Sequence, residues 1–187
     1  MPSPTPFPGL PTPGAGFDQP FEMLHACHDR VRRSLALLQR LVAHVQQHGA
    51  DTQARDAARD VRRYFDVAAP AHHEDEERHV IPRLLASAEP ALQATGRRMQ
   101  ADHEAMRAGW AALAPLLGAL AEGQRPAPDV LAQAAGHFVE LHREHLALED
   151  SVAFPAAQQH LAQAGGAALA AMGDEMAARR GVRAPRG

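Results

Sequence analysis

Apolar residues recur at alternating steps of three and four along four stretches of the chain, and a histidine interrupts each stretch once. The first stripe runs Phe21, Leu24, His28, Val31, Leu35, Leu38, Val42, Val45. The third runs Met99, His103, Met106, Trp110, Leu113, Leu117, Leu120, and the fourth Leu131, Ala134, Phe138, Leu141, His145, Leu148, Val152. A looser second stripe links Val61, Phe65, Ala68 and His72 to Glu76. Steps of three and four define the seam of helices packed side by side, so the spacing predicts four amphipathic helices whose histidines point inward. A buried imidazole without a partner is costly, and four of them on four seams call for one shared partner.

Proline and glycine set the boundaries. Residues 1–17 carry six prolines and three glycines and read as a disordered or extended tail. Asp18 is expected to cap helix 1, with Pro20 tolerated in the first turn and Gly49 stopping it. Asp51 or Thr52 caps a second helix running to about Leu85, which Pro70 and Pro82 should kink on either side of His72 and Glu76. Helix 3 spans about 89–121, a loop covers 123–128, and helix 4 runs from about Asp129 to 162 with Pro155 near its end. After Gly165 and Gly166, a short fifth helix from Ala167 to Arg180 ends at Gly181. The predicted fold is all-α: an up-down-up-down four-helix bundle over 18–162, followed by a short C-terminal helix and basic tail over 163–187.

The chain has 187 residues, 45% of them hydrophobic and 4% aromatic, which suits one Ala/Leu-rich helical domain with a substantial core. A formal charge of −3 provides no basic field for nucleic acid. The longest wholly apolar stretch, 111–121, is too short to cross a bilayer. No signal peptide is evident at the N-terminus, and the lone Cys27 rules out an internal disulfide; both fit a cytoplasmic protein.

The two halves repeat. His28 precedes His103 by 75 residues and His72 precedes His145 by 73, and HHEDEERHVIP (72–82) matches HLALEDSVAFP (145–155) in a histidine, a glutamate four later, an acid five later and a proline ten later. In antiparallel neighbours this brings all four histidines to one level. Residues four apart share a helix face, so His72 with Glu76 and His145 with Glu149 each offer a nitrogen and a carboxylate to one cavity. Four imidazoles and two carboxylates exceed the needs of one tetrahedral zinc. Two first-row ions bridged by both glutamates use all six, and nitrogen and oxygen donors without thiolate suit iron or manganese, iron being the better choice for redox work.

At these residues the chain resembles the hemerythrin-like family, the HHE cation-binding domain, whose second and fourth helices carry His-x-x-x-Glu followed by Pro. The resemblance covers about residues 20–160. It implies His28, His72, His103 and His145 as iron ligands, with Glu76 and Glu149 bridging two non-haem irons that also share an oxo or hydroxo bridge. Oxygen-carrying hemerythrins place a second histidine one turn after the helix 3 ligand, where this chain has Arg107, and an arginine stays protonated and cannot ligate. Four histidines, two bridging carboxylates and one oxygen bridge fill ten of twelve octahedral positions, leaving about one open place per iron. His142 and His25 are candidates for a fifth histidine ligand.

Other histidines fit blander roles. His73 lies on a stripe that runs back through Arg62 and Asp66, which places it on the surface. His44 and His48 stand about 24–30 Å along helix 1 from His28 and cannot share its site. Arg179, Arg180 and Arg183 read as a solvated basic tail. Two function classes follow. One is a binding module that binds or senses dioxygen, nitric oxide or peroxide through diiron, with the C-terminal helix as a docking element for a protein partner. The other is a diiron enzyme, a peroxidase or nitric oxide reductase, or an iron donor in stress repair.

Overall fold

Helix α1 (Pro20–His48) begins with Pro20 in its first turn, where a missing N–H costs nothing, and ends at Gly49, whose φ of 73° reverses the chain while its N–H bonds back to Val45. These are the coordinates of a computed structural model that describes residues 16–182. The expected disordered tail falls almost wholly on 1–15, and Arg183 on 183–187, outside the described residues. The N-cap of α1 is Gln19 without a side-chain cap bond; Asp18, the expected cap, stands one residue too early.

The second bundle helix is built from α2 (Thr52–Arg63), a π-helical turn (Tyr64–Ala68), α3 (Ala69–His79) and α4 (Ile81–Leu85). Asp51 caps it, accepting from the Ala54 N–H at 2.8 Å. The expected disturbances are present on both sides of His72 and Glu76. Pro70 would clash with the carbonyl one turn back, and the helix widens just before it so that the Ala69 N–H reaches the Tyr64 carbonyl five residues back. The break at Val80 precedes Pro82. α5 (Pro90–Ala121) is the third bundle helix. The fourth repeats the π device: α6 (Pro128–Leu148) widens over Glu149–Ala153 before α7 (Phe154–Gln163), which carries Pro155. α8 (Gly166–Arg179) is the fifth helix.

α1 packs against α2 and α6, and α5 packs against the same two, which closes an antiparallel ring of four. The stripes face its axis, with one shift: on α6 the buried positions are Leu131, Ala135, Phe138, His142, His145 and Leu146, whereas Ala134, Leu141 and Leu148 are half-buried. A straight helix of 3.6 residues per turn drifts away from a 3.5 repeat, and the fourth seam drifts toward His142.

The core divides into two apolar clusters. One holds Val31, Leu35, Leu38, Phe65, Leu113, Leu117 and Phe138; the other holds Phe21, Leu24, Ile81, Leu84, Met99 and Phe154, together with Met172 and Met176 of α8. On the first three bundle helices the histidines of the stripes stand between these clusters, and on the fourth His145 lies at the edge of the first, so apolar layers flank a polar one.

α8 is latched beside that layer. Asp75 is fully buried, and its two oxygens accept from Arg179 Nε at 2.7 Å and Arg180 Nη2 at 2.6 Å. Arg179 also contacts His79. The reading of these arginines as solvated is therefore corrected: a buried carboxylate requires counter-charge, and α8 brings two guanidiniums. Gly173 lies against the backbone of the entering segment, where a Cβ would stand 1.9 Å from the Phe17 carbonyl oxygen. Among the described residues no helix is long and apolar enough to cross a membrane.

Two outcomes test this latch. Asp75→Ala removes the buried carboxylate shared by two partly buried cations and should lower unfolding free energy by about 3 kcal/mol in urea denaturation, with α8 cleaved by protease at lower concentration than in the unaltered chain. Gly173→Ala should cost about 1–3 kcal/mol by overpacking; an unchanged denaturation midpoint would show that the chain around Phe17 does not rest on α8.

Candidate metal centre

The six residues singled out from the sequence converge. His28 of α1, His72 and Glu76 of α3, His103 of α5, His145 of α6 and Glu149 at the start of the second π turn are each at most 2% exposed. All four histidines turn Nε2 toward the two carboxylates. His28 Nε2 is 3.1 Å from Glu149 Oε2 and 3.9 Å from Glu76 Oε1. His72 Nε2 is 3.1 Å from Glu76 Oε1, and His103 Nε2 is 3.4 Å from Glu76 Oε2. His145 Nε2 is 2.9 Å from Glu149 Oε1 and 3.1 Å from His103 Nε2.

These close approaches do not satisfy the groups. None of the four oxygens of Glu76 and Glu149 makes a well-directed hydrogen bond, nor does His28 Nε2. Burial, with the neighbouring Glu149, would raise the Glu76 carboxyl, yet His72, His103 and His28 outweigh both and hold it at about 2. Burial likewise opposes ionisation of Glu149, and His145 and His28 bring it to about 2. Burial disfavours the cationic form of His28 and His145, but their glutamate partners raise each to about 10. His72 is driven well below its usual value by burial. Two buried carboxylates with orphaned oxygens, ringed by inward nitrogens, suit a metal ion as a donor set. Metal–nitrogen bonds of about 2.1 Å put two donors at right angles about 3 Å apart, and the two Nε2 atoms of His103 and His145 stand at that spacing. Four-group clusters with donor atoms within 4.8 Å of one another form twice, over His28, His72, Glu76, Glu149 and over His73, Glu76, His103, His145.

The repeat extends to the outward nitrogens. The acid after each glutamate holds the histidine of another helix: Asp150 accepts from His28 Nδ1 at 2.8 Å, and Glu77 from His103 Nδ1 at 3.0 Å. Each acid is in turn held by an arginine four residues after that histidine, Arg32 on Asp150 and Arg107 on Glu77. Arg107 also bonds Glu104 at 2.7 Å. It stands outside the polar layer and fixes the carboxylate that orients His103. An Nδ1–H committed to a carboxylate leaves the Nε2 lone pair facing inward and makes it a stronger donor. His145 Nδ1 reaches Asp102 at 3.5 Å. Subtracting the 75-residue offset from 102 gives position 27, a cysteine, and His72 Nδ1 has no partner among the described residues.

The structure differs from the sequence reading at His73. Its ring is partly buried and stacks on His103 at 4.3 Å and 15°, with His145 at 6.1 Å. Burial and the neighbouring His103 lower it to about 3, so it is a neutral imidazole. Of the two candidates for a fifth histidine, neither joins the paired clusters. His142 donates Nδ1–H to the Phe138 carbonyl at 2.9 Å, and His25 is half-exposed against Asp150 at 3.2 Å. The acid five residues after each histidine was visible in the repeat, and its role could have been found from the matched Arg32 and Arg107. Nothing in the stripe signalled His73, because the π turn before Pro70 rotates everything downstream of Arg62 and Asp66.

Residues 19–157 match the hemerythrin HHE cation-binding domain. An uncharacterized protein of Haemophilus influenzae is 32% identical over 169 residues, covering 90% of this chain and 94% of the relative. With the bundle, the His/Glu clusters and the match over most of its length in agreement, this chain belongs to the hemerythrin HHE cation-binding domain family, and its site is that of a metal-binding protein.

Proposed function

We propose that this protein is a non-haem diiron protein that binds or senses a small ligand such as dioxygen, nitric oxide or peroxide. The observation that carries this reading is the pair of clusters sharing Glu76, with four carboxylate oxygens left unpartnered in a buried layer. His28 and His72 would hold one ion, His103 and His145 the other, and Glu76 and Glu149 would span the two. Two irons held there would supply one-electron redox chemistry to a small ligand, and an all-nitrogen-and-oxygen donor set suits iron.

The surroundings favour a small ligand over an organic substrate. With the six residues at most 2% exposed and apolar clusters on both sides, only a molecule of a few atoms reaches the layer by side-chain motion. Phe154 stacks on His28 at 4.8 Å, and Phe65 and Phe138 pack within 5.4 Å and 4.4 Å of His142. These rings exclude water and fix the imidazoles without offering a proton. The carboxylates Asp150, Glu77 and Asp102 supply orientation and basicity from outside.

Two experiments address this reading. Metal analysis after anaerobic iron loading should give about two irons per chain, with a visible diferric spectrum on oxidation; a single ion per chain would contradict it. Asp150→Ala and Glu77→Ala should each weaken iron binding about 10–100-fold in competition with a chelator, while leaving the helical circular dichroism intact. An unchanged affinity in both would show that these acids serve the fold rather than the metal.

A further inference from the structure

The duplication that builds the centre is broken at His73. The 73-residue offset that carries His72 onto His145 carries His73 onto Leu146, which is buried in the apolar core. The two halves therefore differ: α3 offers an imidazole where α6 has only a hydrocarbon side chain. His73 also lacks the ties that explain the remaining histidines near the layer. His142 is bonded to Phe138 and His25 to Asp150, but His73 has no hydrogen bond or ion pair among the described residues, only ring contacts. One of its nitrogens lies within 4.8 Å of donor atoms of Glu76, His103 and His145. Donors about 2.1 Å from a common ion stand about 3–4 Å apart, so this spread is closed by small side-chain movement.

We propose that His73 is a fifth histidine ligand, giving the ion held by His103 and His145 a third imidazole and confining the open coordination position to the ion held by His28 and His72. This rests on the diiron reading above and sharpens it. Three histidines, the two glutamates and one shared bridge fill six positions on one ion, and two histidines with the same three shared groups fill five on the other. The count of one open place per iron, drawn from Arg107 and four histidines alone, becomes one open place per chain. The asymmetry comes from helix 2, where a residue next to an expected ligand enters the site, and Arg107 remains outside it.

The test is an anaerobic nitric oxide titration of the diferrous chain, with ⁵⁷Fe Mössbauer spectra of the same samples. The unaltered protein should bind one nitric oxide per chain and show two unequal iron sites. His73→Leu, which places at 73 the residue already present at 146, should bind two and bring the two sites together, with iron content still near two. Two nitric oxides in the unaltered protein, or a His73→Leu variant with an unchanged count and spectrum, would overturn the proposal. Should His73→Leu fail to fold, His73→Gln and the count in the unaltered chain decide the matter. Failure of the unaltered protein to load two irons instead overturns the diiron reading, a result separate from the nitric oxide count.

Discussion

Two carboxylates buried in the centre of a small helical bundle set the terms for everything else in this protein. Glu76 and Glu149 are fully buried and make no well-directed hydrogen bond, and an isolated ionised carboxylate in such surroundings would be prohibitively costly. Four imidazoles from four helices are the local answer, and their convergence dictates the topology. Only antiparallel neighbours bring His28 and His103, early in their helices, to the level of His72 and His145, late in theirs. The outer acids and their arginines form a third ring, in which Asp150 and Glu77 orient His28 and His103 while Arg32 and Arg107 hold the acids in place. Charge thus alternates outward from the axis in three layers, and each layer depends on the one inside it.

The same constraint explains irregularities that stability alone would disfavour. Each π turn costs hydrogen-bond geometry and precedes a proline, but each also rotates the helix next to a site residue: the first ahead of His72, the second starting at Glu149. Such turns are frequent at functional sites, and here they let a helix carry both a regular apolar seam and inward polar groups that a regular helix would misplace. The latch of Arg179 and Arg180 onto Asp75 does related work next to Glu76, since it neutralises a buried acid that would otherwise add to the negative charge of the centre.

Much of this was legible in the sequence, for definable reasons. Seam periodicity and the His-x-x-x-Glu duplication report on positions along one helix face, and they identified the bundle and the six converging residues, while glycine and capping residues marked the helix ends at Gly49 and Asp51. The features that escaped depend on departures from a regular helix or on contacts between distant segments. The π turn moved His73 from an expected surface position onto His103. Helix drift exchanged Leu141 for His142 on the fourth seam. The tie between Asp75 and α8 spans more than a hundred residues, and no local pattern encodes it. Arg107 was recognised as unable to ligate, but its outward carboxylate partners became evident only once Arg32 was seen to make the matching contact.

The dinuclear character of the polar layer is the central claim, and anomalous diffraction at the iron edge from crystals of the iron-loaded protein tests it most directly. The account predicts two peaks about 3.5 Å apart, both between Glu76 and Glu149, one beside His28 and His72 and the other beside His103 and His145. A single peak, or peaks only at surface histidines such as His44 and His48, would contradict it.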